Sequence, residues 1–257
     1  YAFSSNPLVT IFRYTAAQFL TFCMAFRYFF RRDVIFYINT ILPVGPAIAG
    51  RLMGKRVIYH YHENAFVKGR FYTTLAKVME RIAHGIICVS AYQASFLKRK
   101  RGVEVVPNAL STDFIDKLHP DQAASFERKT VLMLSSLKAY KGTVEFINLA
   151  RLLPEFKFVL VINDTPEAIR QWMDKEKMVL TGNLTIHPRT SDVARFYNSS
   201  SLVLNLSDPR LFIETFGLTA LEAMSCALPV IVPEVGGIAE MVEDGVNGYH
   251  IDCNDTN

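Results

Sequence analysis

The chain has 257 residues, half of them hydrophobic, with 28 Lys/Arg against 24 Asp/Glu. That length allows one or two domains with a sizeable core, and no run of eighteen uninterrupted apolar residues marks a membrane span. The net charge of +4 is uneven: residues 1–110 hold 15 basic and 4 acidic side chains, residues 111–257 hold 13 and 20.

In chain order, Leu8 to Phe30 is aromatic and basic, with Phe12, Tyr14, Phe19, Phe22 and Phe26 beside Arg13, Arg27, Arg31 and Arg32. Aromatic stripes at helical spacing belong first to a core helix, here one packed on a sheet with its arginines exposed. The same composition suits a basic amphipathic helix on an anionic membrane, so peripheral attachment is a second expectation. Strand and helix then alternate: strand 34–38, helix 43–53, strand 57–61, helix 71–83, strand 85–89, helix 91–98 and strand 103–106. Pro107-Asn108 punctuates the chain. After a polar stretch the pattern restarts with strand 131–134, helix 143–153, strand 156–162, helix 166–173, strand 184–186, helix 191–198 and strand 202–206. A helix beginning near Leu218 and strand 230–232 follow. This alternation predicts α/β architecture with parallel sheets, in two doubly wound domains. The basic N-terminal half implies an anionic surface or acceptor. Nucleic acid is not expected, because no nucleic-acid-binding motif accompanies the charge.

Glu214-Thr-Phe-Gly-Leu-Thr-Ala-Leu-Glu222 carries the most chemical information. Gly217 permits close backbone approach. A helix start at Leu218 offers N–H groups and a positive dipole end to an anion. Glu214 before the helix and Glu222 one turn inside it can accept hydrogen bonds from hydroxyls. The ligand that fits is a diphosphate flanked by hydroxyl-rich groups, a nucleotide sugar. Elsewhere, His60 and His62 alternate on one strand and share a face. Ser90 precedes a helix and reads foremost as its N-cap. Cys23, Cys88, Cys226 and Cys253 lack metal or redox spacing, which fits a reduced cytoplasmic compartment.

Residues 214–222, continued by Ala223-Met-Ser-Cys-Ala-Leu-Pro-Val-Ile-Val-Pro233 and Gly236-Gly237, resemble the E-(seven residues)-E motif of retaining glycosyltransferases of family 4 (glycosyl transferases group 1), of GT-B fold. The resemblance implies two Rossmann-like doubly wound domains facing across a cleft. They would be an acceptor-side domain at 1–110, a linker at 111–128 and a nucleotide-sugar-binding domain at 129–257. It also implies a first strand and glycine-rich loop before Tyr1 and helices after Asn257, so the chain reads as a fragment.

By resemblance, Glu214 contacts the transferred sugar and, with His62, belongs to the catalytic set. Glu222 holds the ribose. Phe216, Gly217, Leu218 and Thr219 cradle diphosphate and sugar, and Lys141 binds the diphosphate. Ser136 stands where the family has an arginine, and Ser135 where it has a glycine, with Lys138 as a candidate for the missing charge. His187, Pro188 and Arg189 fall where the base is recognised. Ser207 to Ile213 is longer than the usual link. No metal and no cofactor beyond the donor is implied.

The function expected is retaining transfer from a nucleoside-diphosphate sugar to a glycan or lipid-linked glycan, in the cytoplasm at the inner face of the membrane, in cell-envelope polysaccharide synthesis. A non-catalytic nucleotide-sugar-binding member, suggested by Ser136, and a nucleotide-sugar epimerase of the same fold are the alternatives.

Overall fold

The structure, a computed structural model, describes residues 6–66 and 69–252. Tyr1 and Cys253 lie outside these residues. The chain divides into two compact units, Tyr1–Pro107 and Asn108–Asn257.

The first unit runs α1 (Pro7–Ala25), β1 (Ile35–Asn39), α2 (Val44–Leu52), β2 (Arg56–Tyr61), α3 (Arg70–Ile82), β3 (Gly85–Cys88), α4 (Ala91–Ser95) and β4 (Val103–Val105). Its four strands pair in parallel in the order β1-β2-β3-β4. Successive strands are joined by crossover segments long enough to return the chain in the same direction. Along β2, Val57, Tyr59 and Tyr61 are buried while Ile58 and His60 are only partly so. This alternation directs His60 and His62 to the less covered face. Leu75, Ala76 and Met79 of α3 are buried at helical spacing and join the same core as Tyr59 and Tyr61.

The expectation of a sheet-packed core helix at the N-terminus is not met. Only Ala25 of α1 is buried. Its partner is α2, reached through polar and small groups. Gln18 Oε1 accepts from Gly45 N–H at 2.9 Å, and Tyr14 O–H donates to the Leu42 carbonyl at 2.8 Å. A Cβ on Gly45 would lie 2.1 Å from the Gln18 carbonyl oxygen, so the helices touch backbone to backbone. Phe12, Phe19 and Leu20 are left 60–73% exposed. The segment Pro7–Tyr28, in which an 18-residue window has a mean hydropathy of 1.3, is also long and apolar enough to cross a membrane by length and composition, despite Arg13 and Arg27.

The second unit contains α5 (Thr112–Ile115), α6 (Gln122–Arg128), β5 (Thr130–Ser135), α7 (Thr143–Leu152), β6 (Lys157–Ile162), α8 (Pro166–Lys175), β7 (Leu184–His187), α9 (Ala194–Asn198), β8 (Leu202–Leu204), α10 (Leu218–Ser225), β9 (Val230–Pro233) and β10 (Gly248–Ile251). The segment expected as a linker, 111–128, forms α5 and α6, capped by the side chains of Ser111 and Asp121. The sheet is parallel throughout, in the order β10-β9-β8-β5-β6-β7. Its central strands are nearly continuous apolar runs, as strands covered on both faces must be. Val131 and Met133 of β5 enter one apolar cluster with Phe146 and Phe158, and Leu132 enters another with Tyr197, Ala220 and Ala223. The chain order jumps from β5 to β8 on one side and to β6 on the other. Ligands of such sheets sit beyond the carboxyl strand ends at that switch.

Candidate functional site

The switch point of the second unit is where the structure gathers side chains that the sequence singles out. The residues after β8 and before α10 bring Glu214 to the carboxyl edge. The short helical turn Ala139–Lys141 after β5 brings Lys141 to the same edge. A cavity of about 290 Å³ is lined by Lys141, Ser207, Glu214, Thr215, the backbone turn 216–218 and Thr219. A second, of about 400 Å³, is lined by Ser136, Lys141, Asn163, Arg189, Thr219 and Glu222. Lys141 and Thr219 line both, so the two cavities adjoin at the start of α10.

That start depends on Gly217. It is the N-cap of α10, at φ 96°, ψ 65°. Sequence alone suggests that the missing side chain makes room for a ligand. In the structure its place is filled from within the protein: a Cβ on Gly217 would lie 2.5 Å from Ile238 Cγ1, and Ile238 is fully buried. The residue is therefore held to glycine by backbone conformation and by packing. Gly217→Ala is expected to cost roughly 2 kcal/mol and lower Tm by about 4–8 °C, measured by calorimetry. An unchanged Tm would show that the turn relaxes freely.

Charge in the site is arranged in pairs. Lys141 Nζ forms an ion pair with Glu214 Oε1 with side chains only 22% and 16% exposed, so water screens it less than a surface pair. Ser207 Oγ donates to the same carboxylate oxygen at 3.4 Å. The backbone of Glu214 is fixed too, since its carbonyl accepts from Gly237 N–H at 2.8 Å. Glu222 projects from the first turns of α10, and Tyr197 O–H donates to its Oε2 at 2.5 Å. Burial raises the Glu222 pKa above its ordinary value, with the Tyr197 hydrogen bond opposing. Burial and the neighbouring Glu222 push the Tyr197 phenol up as well, so it remains a donor at neutral pH.

Ser136 lines the larger cavity, while its carbonyl accepts from Thr143 Oγ1 at 3.1 Å. Lys138, the candidate replacement for the missing arginine, does not line either cavity. Its Nζ lies 5.8 Å from the centroid of the Tyr140 ring. The cation that does join Lys141 in lining the larger cavity is Arg189, after β7. Its position past a strand end made it visible in the sequence as part of the base segment. Its place in the same cavity as Ser136 was not visible. Tyr197 escaped sequence reasoning altogether, since a tyrosine on a short helix 25 residues before its carboxylate leaves no pattern.

His62 belongs to the first unit. Its Nε2 lies 2.9 Å from Asn39 Oδ1, and its ring lies 4.0 Å from that of His60. His60 Nδ1 lies 2.7 Å from the Tyr37 hydroxyl. Burial, and secondarily His62, lower the His60 pKa, so the inner ring of the pair favours its neutral form. Glu63 Oε2 accepts from the backbone N–H of Ile41 and His62 at 3.2 and 3.3 Å, which fixes the strand end. Ser90 caps α4 by accepting from Gln93 N–H at 3.1 Å, and Gln93 Nε2 donates to the Glu63 carbonyl at 3.0 Å. Ser90 thus has the capping contact expected of it.

Comparison with known proteins bears on the family and the fold. Residues 114–257 match the family "Glycosyl transferases group 1", and residues 4–114 match "Glycosyltransferase Family 4". Among curated proteins, N-acetyl-alpha-D-glucosaminyl L-malate synthase of Bacillus anthracis is 25% identical over 194 residues, 73% of this chain and 49% of that protein. An uncharacterized 41.2 kDa protein of the cps region of Klebsiella pneumoniae is 24% identical over 235 residues, 83% of this chain and 63% of that protein. The chain thus spans less than two thirds of either relative. Among solved structures, Anabaena HepE in complex with UDP and glucose superposes with a TM-score of 0.69 at 23% identity, over 98% of this chain and 70% of that one.

Proposed function

Because the chain belongs to the glycosyl transferases group 1 family and has the α/β GT-B fold, we propose that it takes part in sugar transfer from a nucleoside-diphosphate sugar to a glycan or lipid-linked glycan acceptor, with retained anomeric configuration. The observation that carries this reading is the meeting of Lys141, Glu214, Thr219 and Glu222 around the start of α10. Helix N–H groups and the Lys141 ammonium suit a diphosphate. Glu222 suits ribose hydroxyls and Glu214 a sugar hydroxyl, and the turn Phe216-Gly217-Leu218 supplies the cradle.

In the reaction, the bond from the anomeric carbon to the diphosphate oxygen breaks and one to the acceptor oxygen forms. The acceptor's proton passes to the leaving diphosphate on the same face. Lys141 and the helix dipole stabilise the charge developing on that diphosphate, and no metal ion is needed for it. His62 is assigned to the sugar and acceptor side, where an imidazole can donate to a hydroxyl. The Anabaena protein solved with UDP and glucose makes UDP-glucose the first donor to try. The experiment is incubation of the protein with UDP-, GDP- and ADP-sugars and lipid-linked acceptors, with NMR of the product. An α-linked product from an α-linked donor supports the reading. An inverted product, or an epimerised donor formed without acceptor, contradicts it. Tight nucleotide binding with no transfer to any acceptor would favour the non-catalytic alternative that Ser136 suggests.

We also infer action in the cytoplasm at the inner membrane face, in cell-envelope polysaccharide synthesis. Support comes from the Klebsiella relative of the cps region and from the exposed apolar side chains of α1 beside Arg13. Co-sedimentation with anionic but not with neutral vesicles is the expected result. Equal failure with both would remove the membrane from the account.

A further inference from the structure

Lys141 has a seat as well as a partner. The rings of Tyr140 and Phe212 are stacked, with centroids 4.7 Å apart and planes 18° from parallel. Lys141 Nζ lies 5.1 Å from the Phe212 centroid and 5.8 Å from that of Tyr140, within the range where a ring's negative face attracts an ammonium. The segment carrying Phe212 is the long link before Glu214, and it is folded on purpose-built contacts. Phe212 N–H donates to the Asp208 carbonyl at 2.9 Å, which closes a turn. Asp208 N–H donates to the Tyr140 carbonyl at 2.8 Å, which ties that turn to the Lys141 segment. The Asp208 carboxylate also accepts from the backbone N–H and the guanidinium of Arg210 at 3.0 Å. Neither ring lines either cavity at the start of α10.

We propose that Phe212, stacked with Tyr140, is a positioning residue that keeps the Lys141 ammonium aimed at the donor's diphosphate. The inference rests on the reading of these cavities as the donor site. In the structure Glu214 neutralises Lys141. A diphosphate competes for that ammonium, and its success frees the Glu214 carboxylate for a sugar hydroxyl. A lysine released from its carboxylate regains the rotamers of a four-carbon stem. A ring face holds the cation without using any of its three N–H donors, so the seat persists while the hydrogen-bonding partner changes.

The test uses whichever of UDP, GDP and ADP stabilises the protein most, with its own nucleoside as control. Phe212→Leu keeps the apolar bulk and removes the ring face, and Phe212→Tyr keeps the face. By titration calorimetry, Phe212→Leu is expected to weaken the diphosphate about fivefold, to leave the nucleoside unchanged, and to be rescued by Phe212→Tyr. The KM for the matching nucleotide sugar should rise more than kcat falls. Equal weakening of nucleoside and diphosphate would overturn the proposal and leave Phe212 a merely structural residue. So would an unchanged diphosphate affinity in Phe212→Leu where Lys141→Ala weakens it. If Lys141→Ala itself leaves the diphosphate unaffected, the donor-site reading fails first and this inference with it.

Discussion

Glu214→Gln is expected to lower kcat for sugar transfer by about 10²–10³-fold while changing the KM for donor much less, the signature of a group that acts in the transition state. The exchange is nearly isosteric, and the amide still offers an oxygen to Lys141 Nζ and Ser207 Oγ. What disappears is the negative charge that the proposed function assigns to a hydroxyl of the transferred sugar, and with it a hydrogen bond that strengthens as positive charge develops on that sugar. The fold should hardly notice. The Glu214 carbonyl keeps its hydrogen bond from Gly237 N–H whatever the side chain. The ion pair that is lost retains partial exposure and some screening by water. Turnover within about threefold of the parent would show that the carboxylate does not meet the reacting sugar.

Glu222→Gln should separate stability from function in the other direction. Burial raises the Glu222 pKa, so the folded protein binds this proton more tightly than the unfolded chain does. For a carboxyl group shifted upward, stability is fully present below the unfolded pKa and is lost as pH rises through the folded value. Burial thus costs the parent stability as pH rises through the range where this carboxyl ionises, and that cost is absent in Gln. Its amide oxygen can still accept from the Tyr197 hydroxyl. The variant is therefore expected to melt above the parent at about pH 7, and the two Tm values should converge below about pH 4, where the parent is protonated. Nucleotide affinity should fall by at least about tenfold, because the charge-assisted acceptor for ribose hydroxyls is gone. A variant that is no more stable at neutral pH would mean that Tyr197 and the cavity solvate the carboxylate fully. Unaltered affinity would remove Glu222 from the donor site. A stability cost together with a loss of affinity at Glu222 would be the kind of local conflict expected where function outweighs folding.

Most of the architecture was legible because it rests on local pattern. Runs such as Val131-Leu-Met-Leu134 and Phe156 to Ile162, separated by helical segments, can only be buried parallel strands. Their observed bounds, 130–135 and 157–162, differ by a residue or so. The N-terminal helix shows the limit. A stripe of phenylalanines says that a face wants cover, but not which surface supplies it. In the structure the helix meets α2 through Gln18, Tyr14 and Gly45 and leaves most of the stripe bare. The polar composition of the stretch that follows Asn108 points to a linker at 111–128. Yet Ser111 and Asp121 are helix caps, a signal present in the residues and overridden by composition.

At the candidate site, the motif gave its residues by resemblance, and the fold explains their arrangement. Lys141 and Glu214 are 73 residues apart, and no spacing rule couples them. They meet because β5 and β8 are neighbours and end at the same edge. Tyr197 reaches Glu222 and Phe212 reaches Tyr140 for similar reasons, through tertiary neighbours that local periodicity does not encode. Gly217 stands out in the sequence for close backbone approach, and the structure adds a second demand for glycine, since Ile238 fills the space where a Cβ would stand.

The central claim is that the cavities at the start of α10 bind a nucleoside diphosphate. The most direct measurement is thermal stabilisation by UDP, GDP and ADP of the parent and of Lys141→Ala. The account predicts that one nucleotide, at 100 times its dissociation constant, stabilises the parent by roughly 2.7 kcal/mol. It predicts that Lys141→Ala loses most of this effect at the same concentration, while the nucleoside acts equally on both proteins. Stabilisation by a nucleotide that is undiminished in Lys141→Ala, or none by any of the three, would contradict it.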